Sequence, residues 1–97
     1  MKLEITSRGH TMTDFLQDYV EKRIERLEKY VQGEGEIHVI LERDTIGQIV
    51  EINMHALHKI MHAREEGEPV RDCIDKAVTK IEAQLRKHKE KITEKRP

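Results

Sequence analysis

Three short runs in the middle of the chain alternate apolar and polar residues, and no other feature narrows the possible folds as much. Ile37, Val39 and Leu41 recur at every second position of 36–43. Val50, Ile52, Met54 and Ala56 do the same in 48–56, and Met61 and Ala63 in 59–65. A period of two marks a strand with one face buried and the other wet. Asp44-Thr45-Ile46-Gly47 separates the first two runs with turn chemistry. Leu57-His58, without Gly or Pro, makes a weaker turn before the third. A fourth alternating run, 2–7, opens the chain and is broken by Arg8-Gly9-His10.

Elsewhere the period changes to that of a helix. Leu16, Val20, Ile24, Leu27 and Val31 form one apolar stripe, which predicts a helix to about Tyr30 or Val31. Thr11 or Thr13 can cap it, Asp14 suits its positive end, and Gly33 and Gly35 stop it. Pro69 suits a first helical position, where its missing N–H has no helical partner anyway. A last helix over 69–92 then buries Val70, Ile74, Ala77, Val78, Ile81, Leu85 and Ile92, and leaves 93–97 as a frayed tail. The order is β-α-β-β-β-α. A right-handed crossover makes the first two strands parallel neighbours, and two hairpins extend the sheet. Each strand has one apolar face, so the expectation is an α+β two-layer sandwich: a four-stranded sheet with both helices on one face, in a single domain over 1–92.

Composition excludes several functions. Only Phe15, Tyr19 and Tyr30 are aromatic, too few for a sheet face that stacks bases. Cys73 is alone, so it forms no internal disulfide and no Cys-based zinc site, and a reducing, cytosolic setting fits. No apolar run is long enough to span a membrane. There is no Gly-rich phosphate loop, nucleophile elbow or organised base for Cys73, so no enzyme and no cofactor is expected. His38, His55 and His62 share the outer sheet face near Asn53, and His55-Ala56-Leu57-His58 spells H-x-x-H. On a strand, residues three apart point to opposite faces, so that spacing makes no shared metal site. His10 and His58 read as loop residues. His88, at the edge of the last helix's stripe, is either half-buried or free to reach phosphate.

Charge placement says more than the net of −1. Residues 1–31 carry 6 basic and 6 acidic side chains, 32–69 carry 3 and 8, and 70–97 carry 9 and 5. On the first helix Asp14, Glu21, Glu25 and Glu28 take one flank, while Lys22, Arg26 and Lys29 line the other beside Phe15 and Tyr19. On the last helix Lys76, Lys80, Lys87 and Lys91 share one side, in the same rotational sense about the core. Asp18 with Lys22 and Glu25 with Lys29 have ordinary i,i+4 pairing. Lys22 with Arg26, Lys76 with Lys80 and Lys87 with Lys91 are like-charged pairs that a merely solvated helix would avoid. If both helices cover one side of the sheet, the stripes can form a basic surface that follows phosphate through backbone and shape rather than sequence.

These segments resemble a known family. Met12-Thr13-Asp14 to Leu27-Glu28-Lys29-Tyr30, then Cys73-Ile74-Asp75, then Gln84-Leu85-Arg86-Lys87-His88-Lys89-Glu90-Lys91 are similar, in order, to the ribosome hibernation-promoting factors, also called ribosome-associated inhibitors or sigma-54 modulation proteins. The resemblance implies a cytoplasmic, non-enzymatic protein that occupies the messenger and transfer RNA channel of the small ribosomal subunit and blocks translation. The family's RNA-contacting positions fall on Lys22, Arg26, Lys29, Lys80, Lys87, Lys89 and Lys91; Lys76 is added from the stripe alone. Long members carry a second domain, absent from these 97 residues. Ribosome dimerisation would then need a separate modulation factor or not occur, and the chain is expected to be a monomer off the ribosome. Cys73 stands where the family often has Ala. A different class of reading is an interaction module that dimerises through the exposed edge of the fourth strand.

Overall fold

The structure, a computed structural model, describes residues 1–9 and 11–94, with the side chains of 92–94 left aside. His10, the burial expected of Ile92 and residues 95–97 of the expected tail lie outside the described residues. The elements are β1 (Lys2–Arg8), α1 (Asp14–Glu25), α2 (Glu28–Val31), β2 (Glu36–Arg43), β3 (Gln48–Ala56), β4 (Lys59–Gly67) and α3 (Val70–Glu94). The strands lie in the order β1-β2-β3-β4; β1 and β2 are parallel, and both later pairs are antiparallel. This is the expected α+β sandwich.

The alternating residues take the expected faces. Ile37, Val39, Leu41, Val50, Ile52, Met54, Ala56, Met61 and Ala63 are buried, and they form one core with the stripes of α1 and α3. Leu3 and Ile5 of β1 are only half-buried, because α3 lies over β3 and β4 and leaves the β1 end of the sheet less covered, whereas Met61 and Ala63 of the other outer strand are buried. The opposite face of the sheet holds the polar residues in cross-strand rows, such as Glu4, His38, Asn53 and His62.

Three local details depart from the sequence reading, and one expected glycine has a packing role as well. The first helix breaks at Arg26–Leu27, where the Leu27 amide donates to the Ile24 carbonyl at 2.9 Å and the Tyr30 amide to the Leu27 carbonyl at 3.1 Å. Leu27 is nonetheless fully buried (0% exposed), which for a leucine is worth about 1.5–3 kcal/mol, so the turn tightens to keep the stripe on the core. The cap after α2 is Gln32 in the left-handed region (φ 52), one residue before the expected Gly33. Gly35 is required for space, since a Cβ there would lie 2.8 Å from Ala56 Cβ and 3.0 Å from the His55 carbonyl. Pro69, after a cis peptide bond, precedes α3 rather than opening it; its carbonyl accepts the amides of Asp72 and Cys73 at 3.1 and 3.4 Å.

The turns divide by chemistry. Asp44 Oδ1 accepts the amides of Ile46 (2.8 Å) and Gly47 (3.0 Å), as a short acid can in a turn. Leu57 and His58 form a two-residue hairpin turn with φ of 54 and 60, a backbone that usually selects Asn and Gly. Gly and Pro are not needed there because the turn is held from outside. His88 Nε2 donates to the Leu57 carbonyl at 2.8 Å, and Leu57 packs against the core.

Candidate RNA-binding face

Thr13, not Thr11, caps α1: its hydroxyl oxygen accepts the Leu16 amide at 3.1 Å. With that start and the buried Leu16, Val20 and Ile24, the rotation of α1 is set, and one flank is turned toward α3. The Tyr19 hydroxyl lies 2.8 Å from each oxygen of Asp75 and donates to that carboxylate. Arg23 Nη2 donates to the same hydroxyl oxygen at 3.1 Å. Arg23 Nε is 2.8 Å from Asp75 Oδ1 with its N–H turned elsewhere, so this contact is an ion pair rather than a hydrogen bond. The hydrogen bond with Tyr19 and the charge of Asp75 both raise the guanidinium pKa, which keeps Arg23 firmly charged. One α-helical repeat further along, Arg26 Nη2 meets Glu82 Oε1 at 3.2 Å, and the Tyr30 hydroxyl meets Glu82 Oε2 at 3.4 Å. The partners advance together, 19 with 75 and 26 with 82, so α1 and α3 run parallel.

The opposite flank of α3 faces β4. Lys80 Nζ pairs with Glu65 Oε1 at 2.8 Å, and Gln84 Nε2 donates to the His62 carbonyl at 2.9 Å. These contacts settle how the two basic stripes lie. Both are on the helix layer, but the stripe of α1 is turned toward the α1–α3 seam and that of α3 toward β4. The continuous surface drawn from the sequence is therefore two lines of charge divided by the crest of α3.

The cations within those lines differ. Arg26 is held by Glu82, whose side chain is only 13% exposed, and Lys80 is held by Glu65. Lys29 is exposed, with its Nζ 5.2 Å from the centre of the Tyr30 ring. Among the described residues Lys22, Lys76, Lys87 and Lys91 are exposed and enter no ion pair. Lys89 is half-buried, and at about 100° per residue it falls on the flank that carries Asp75 and Glu82, away from the lysine stripe. His88 is half-buried and committed to Leu57, which decides between its two readings.

Sequence reasoning missed Arg23, Asp75, Glu82 and Glu65. A signal existed for three of them. Asp75 and Glu82 are seven apart on the flank opposite the α3 lysines, and they match Arg23 and Arg26 on α1. Glu65 left no such trace, since nothing in the sequence says which helix will lie over β4.

Two other readings bear on the same elements. His38, His55 and His62 do share the outer sheet face, but His38 Nε2 is hydrogen-bonded to Thr6 Oγ1 at 2.6 Å and His62 Nε2 lies 3.5 Å from Glu51. Among the described residues no three His, Cys, Asp or Glu side chains converge on a metal-sized site. Cys73 is 3% exposed, and burial pushes its thiol pKa up, the reverse of a nucleophile's environment.

The family model described as sigma 54 modulation protein / S30EA ribosomal protein matches residues 3–93. The chain belongs to this family. The "Ribosome hibernation promoting factor" of Azotobacter vinelandii is 34% identical over 94 residues, which cover 97% of this chain and 88% of that one. The protein of the same name from Klebsiella oxytoca is 29% identical over 92 residues, covering 95% and 97%. Among solved structures, the N-terminal domain of Thermus thermophilus Protein Y superposes with a TM-score of 0.82 at 29% identity, over 91% of this chain and 99% of that one. A ribosomal subunit interface protein from Coxiella burnetii gives 0.79 at 26% identity, over 93% and 99%. The family therefore concerns ribosome-associated hibernation and subunit-interface proteins, and among the described residues no helix is long and apolar enough to cross a membrane.

Proposed function

We propose that this chain silences ribosomes by occupying the messenger and transfer RNA channel of the small subunit, docking its helix layer on ribosomal RNA. The observation that carries the reading is a set of exposed lysines, Lys22, Lys76, Lys87 and Lys91, that enter no ion pair among the described residues, on helices locked to each other through Tyr19–Asp75 and Arg26–Glu82. A phosphate backbone gains most from cations that have no carboxylate to leave and a scaffold that need not rearrange. The other side of the molecule fits the same orientation. By strand register the outer sheet face carries Glu4, Glu36, Glu42, Glu51 and Glu66 against Lys2, Arg8 and Arg64. An acidic back and a basic front orient the molecule as it approaches RNA.

Inhibition on this reading is occupancy, without chemistry or cofactor. It takes place in the cytoplasm, on the whole 1–92 domain. Lys29, Arg26 and Lys80 contribute to the phosphate field around the free lysines, and Lys89 supports it from the inner flank. Off the ribosome the chain is a monomer. Supporting that, Gln84 covers the outward carbonyl of His62, and the Lys80–Glu65 pair lies beside it, so α3 obstructs the edge of β4 that a strand-to-strand dimer would use. A separate modulation factor, where present, would bring silenced ribosomes together.

The test is cosedimentation with small subunits and whole ribosomes across a salt series. Four free lysines with Lys80 as a fifth contact predict a log–log slope of about −4. Lys76→Glu, Lys87→Glu and Lys91→Glu together are expected to abolish pelleting at physiological salt and to leave an extract translating. Unchanged pelleting by that triple variant would refute the assignment.

A further inference from the structure

Phe15 is the one aromatic that the core does not use. It is 64% exposed, while Tyr19 and Tyr30 pack against the core. A lone exposed aliphatic residue on a helix needs no account. An aromatic ring with cations around it is different. Arg71, from the first turn of α3, places its guanidinium carbon 5.8 Å from the centre of the Phe15 ring. The Tyr19 ring lies 6.4 Å from that of Phe15, tilted by 30°, and Arg23 in turn stands 4.8 Å over Tyr19. The four side chains run cation, ring, ring, cation across the top of the α1–α3 seam. Tyr19 and Arg23 are held by Asp75, whereas the Phe15 ring is open.

Phe15 also heads the basic line of α1. Lys22 is seven residues on, about 20° away around the helix and roughly 10 Å along it. A ligand that runs along this flank meets a flat apolar ring with a guanidinium beside it and then an ammonium outside any ion pair. That sequence of groups matches a nucleotide chain, whose bases are flat and whose linkages are anionic. Stacking on a ring or a guanidinium plane is how unpaired bases are held when no sheet platform exists. An apolar protein side chain would gain from Phe15 but would leave Arg71 and Lys22 facing nothing of opposite charge.

We propose that Phe15 and Arg71 form a stacking shelf for a single unpaired base of the RNA that the lysines hold. This rests on the RNA-binding reading above and refines it. The lysines supply contact without sequence, whereas the shelf selects a splayed, single-stranded nucleotide at one end of the face.

The experiment compares Phe15→Ala, Phe15→Leu and Phe15→Tyr with the parent in two assays. The first is ribosome cosedimentation across salt. The second is quenching of a short single-stranded RNA that carries 2-aminopurine, the probe being the oligonucleotide itself. Exposure of the ring means that all three variants are expected to melt with the parent. Base stacking predicts about a five- to hundred-fold weaker ribosome affinity for Phe15→Ala at an unchanged salt slope, a similar loss for Phe15→Leu, and near-parental binding for Phe15→Tyr. Quenching should follow the same order, and Arg71→Ala should lower both. Full affinity in Phe15→Leu with a loss in Phe15→Ala would mean an apolar protein contact and would overturn the shelf. Equal affinity and equal quenching across the series would overturn it as well. If the parent fails to pellet with ribosomes yet quenches the oligonucleotide through Phe15, the ribosome reading fails and the shelf stands. If the parent quenches nothing, the shelf fails whatever the ribosome assay shows.

Discussion

If the helix layer docks on RNA as proposed, neutralising Glu65 should tighten that binding. Glu65 Oε1 is 2.8 Å from Lys80 Nζ; the lysine side chain is 55% exposed and the glutamate 19%. Lys80 can thus reach a phosphate while Glu65 stays behind it. A phosphate oxygen at ordinary charge-assisted distance from the ammonium, about 2.8 Å, would lie roughly 5–6 Å from the carboxylate. Two like charges at that separation repel by about 0.8 kcal/mol in bulk water and by about 3 kcal/mol at a surface dielectric near 20. Screening with a Debye length of about 8 Å roughly halves either figure. Glu65→Gln removes this repulsion and keeps the shape of the side chain, so affinity for ribosomes should rise about two- to twelve-fold at physiological salt. The lost surface pair should cost stability between zero and about 1 kcal/mol. The assay is cosedimentation against salt for the parent, Glu65→Gln, Lys80→Ala and the double variant. Lys80→Ala alone should weaken binding and make the slope shallower by about 1. In its background the gain from Glu65→Gln should shrink, because the cation that brought phosphate near Glu65 is gone. A Glu65→Gln protein that melts like the parent and binds no more tightly would refute the idea that Lys80 works from inside an ion pair.

Two further outcomes follow from the locks around this face. Tyr19→Phe removes the hydroxyl that joins Arg23 to Asp75 and should lower stability in urea by about 1 kcal/mol, since a hydrogen bond to a charged but half-exposed carboxylate contributes at the low end of its range; an unchanged midpoint would show that the seam does not stabilise the helix pair. His58→Gly should raise the melting temperature, because His58 is exposed at φ 60 and a left-handed backbone there costs about 1 kcal/mol that glycine avoids; a fall would mean that its side chain holds the hairpin.

Much of this molecule is written in local periodicity. Alternation at Ile37–Leu41, at Val50–Ala56 and at Met61–Ala63 names the strands and their buried faces, since a strand sends successive side chains to opposite sides whatever it pairs with. The stripes of Leu16–Val31 and Ile74–Leu85 name the helices and their inner faces for the same reason at a different pitch. The exceptions arise where backbone geometry is decided by distant partners. Nothing in Leu57-His58 marks a left-handed turn, because its support comes from His88, 31 residues away.

The basic face divides along the same line. The sequence alone determines which lysines lie on a helix surface, and even that the two stripes have the same rotational sense. Only the tertiary structure decides what each stripe looks at. The two helices run parallel on one sheet, so stripes of the same sense cannot face each other. One turns into the seam, where Asp75 and Glu82 engage Arg23 and Arg26, and the other turns outward over β4, where Glu65 takes Lys80. Which cations stay outside ion pairs depends on helix direction and helix neighbour, and neither is encoded within any one helix.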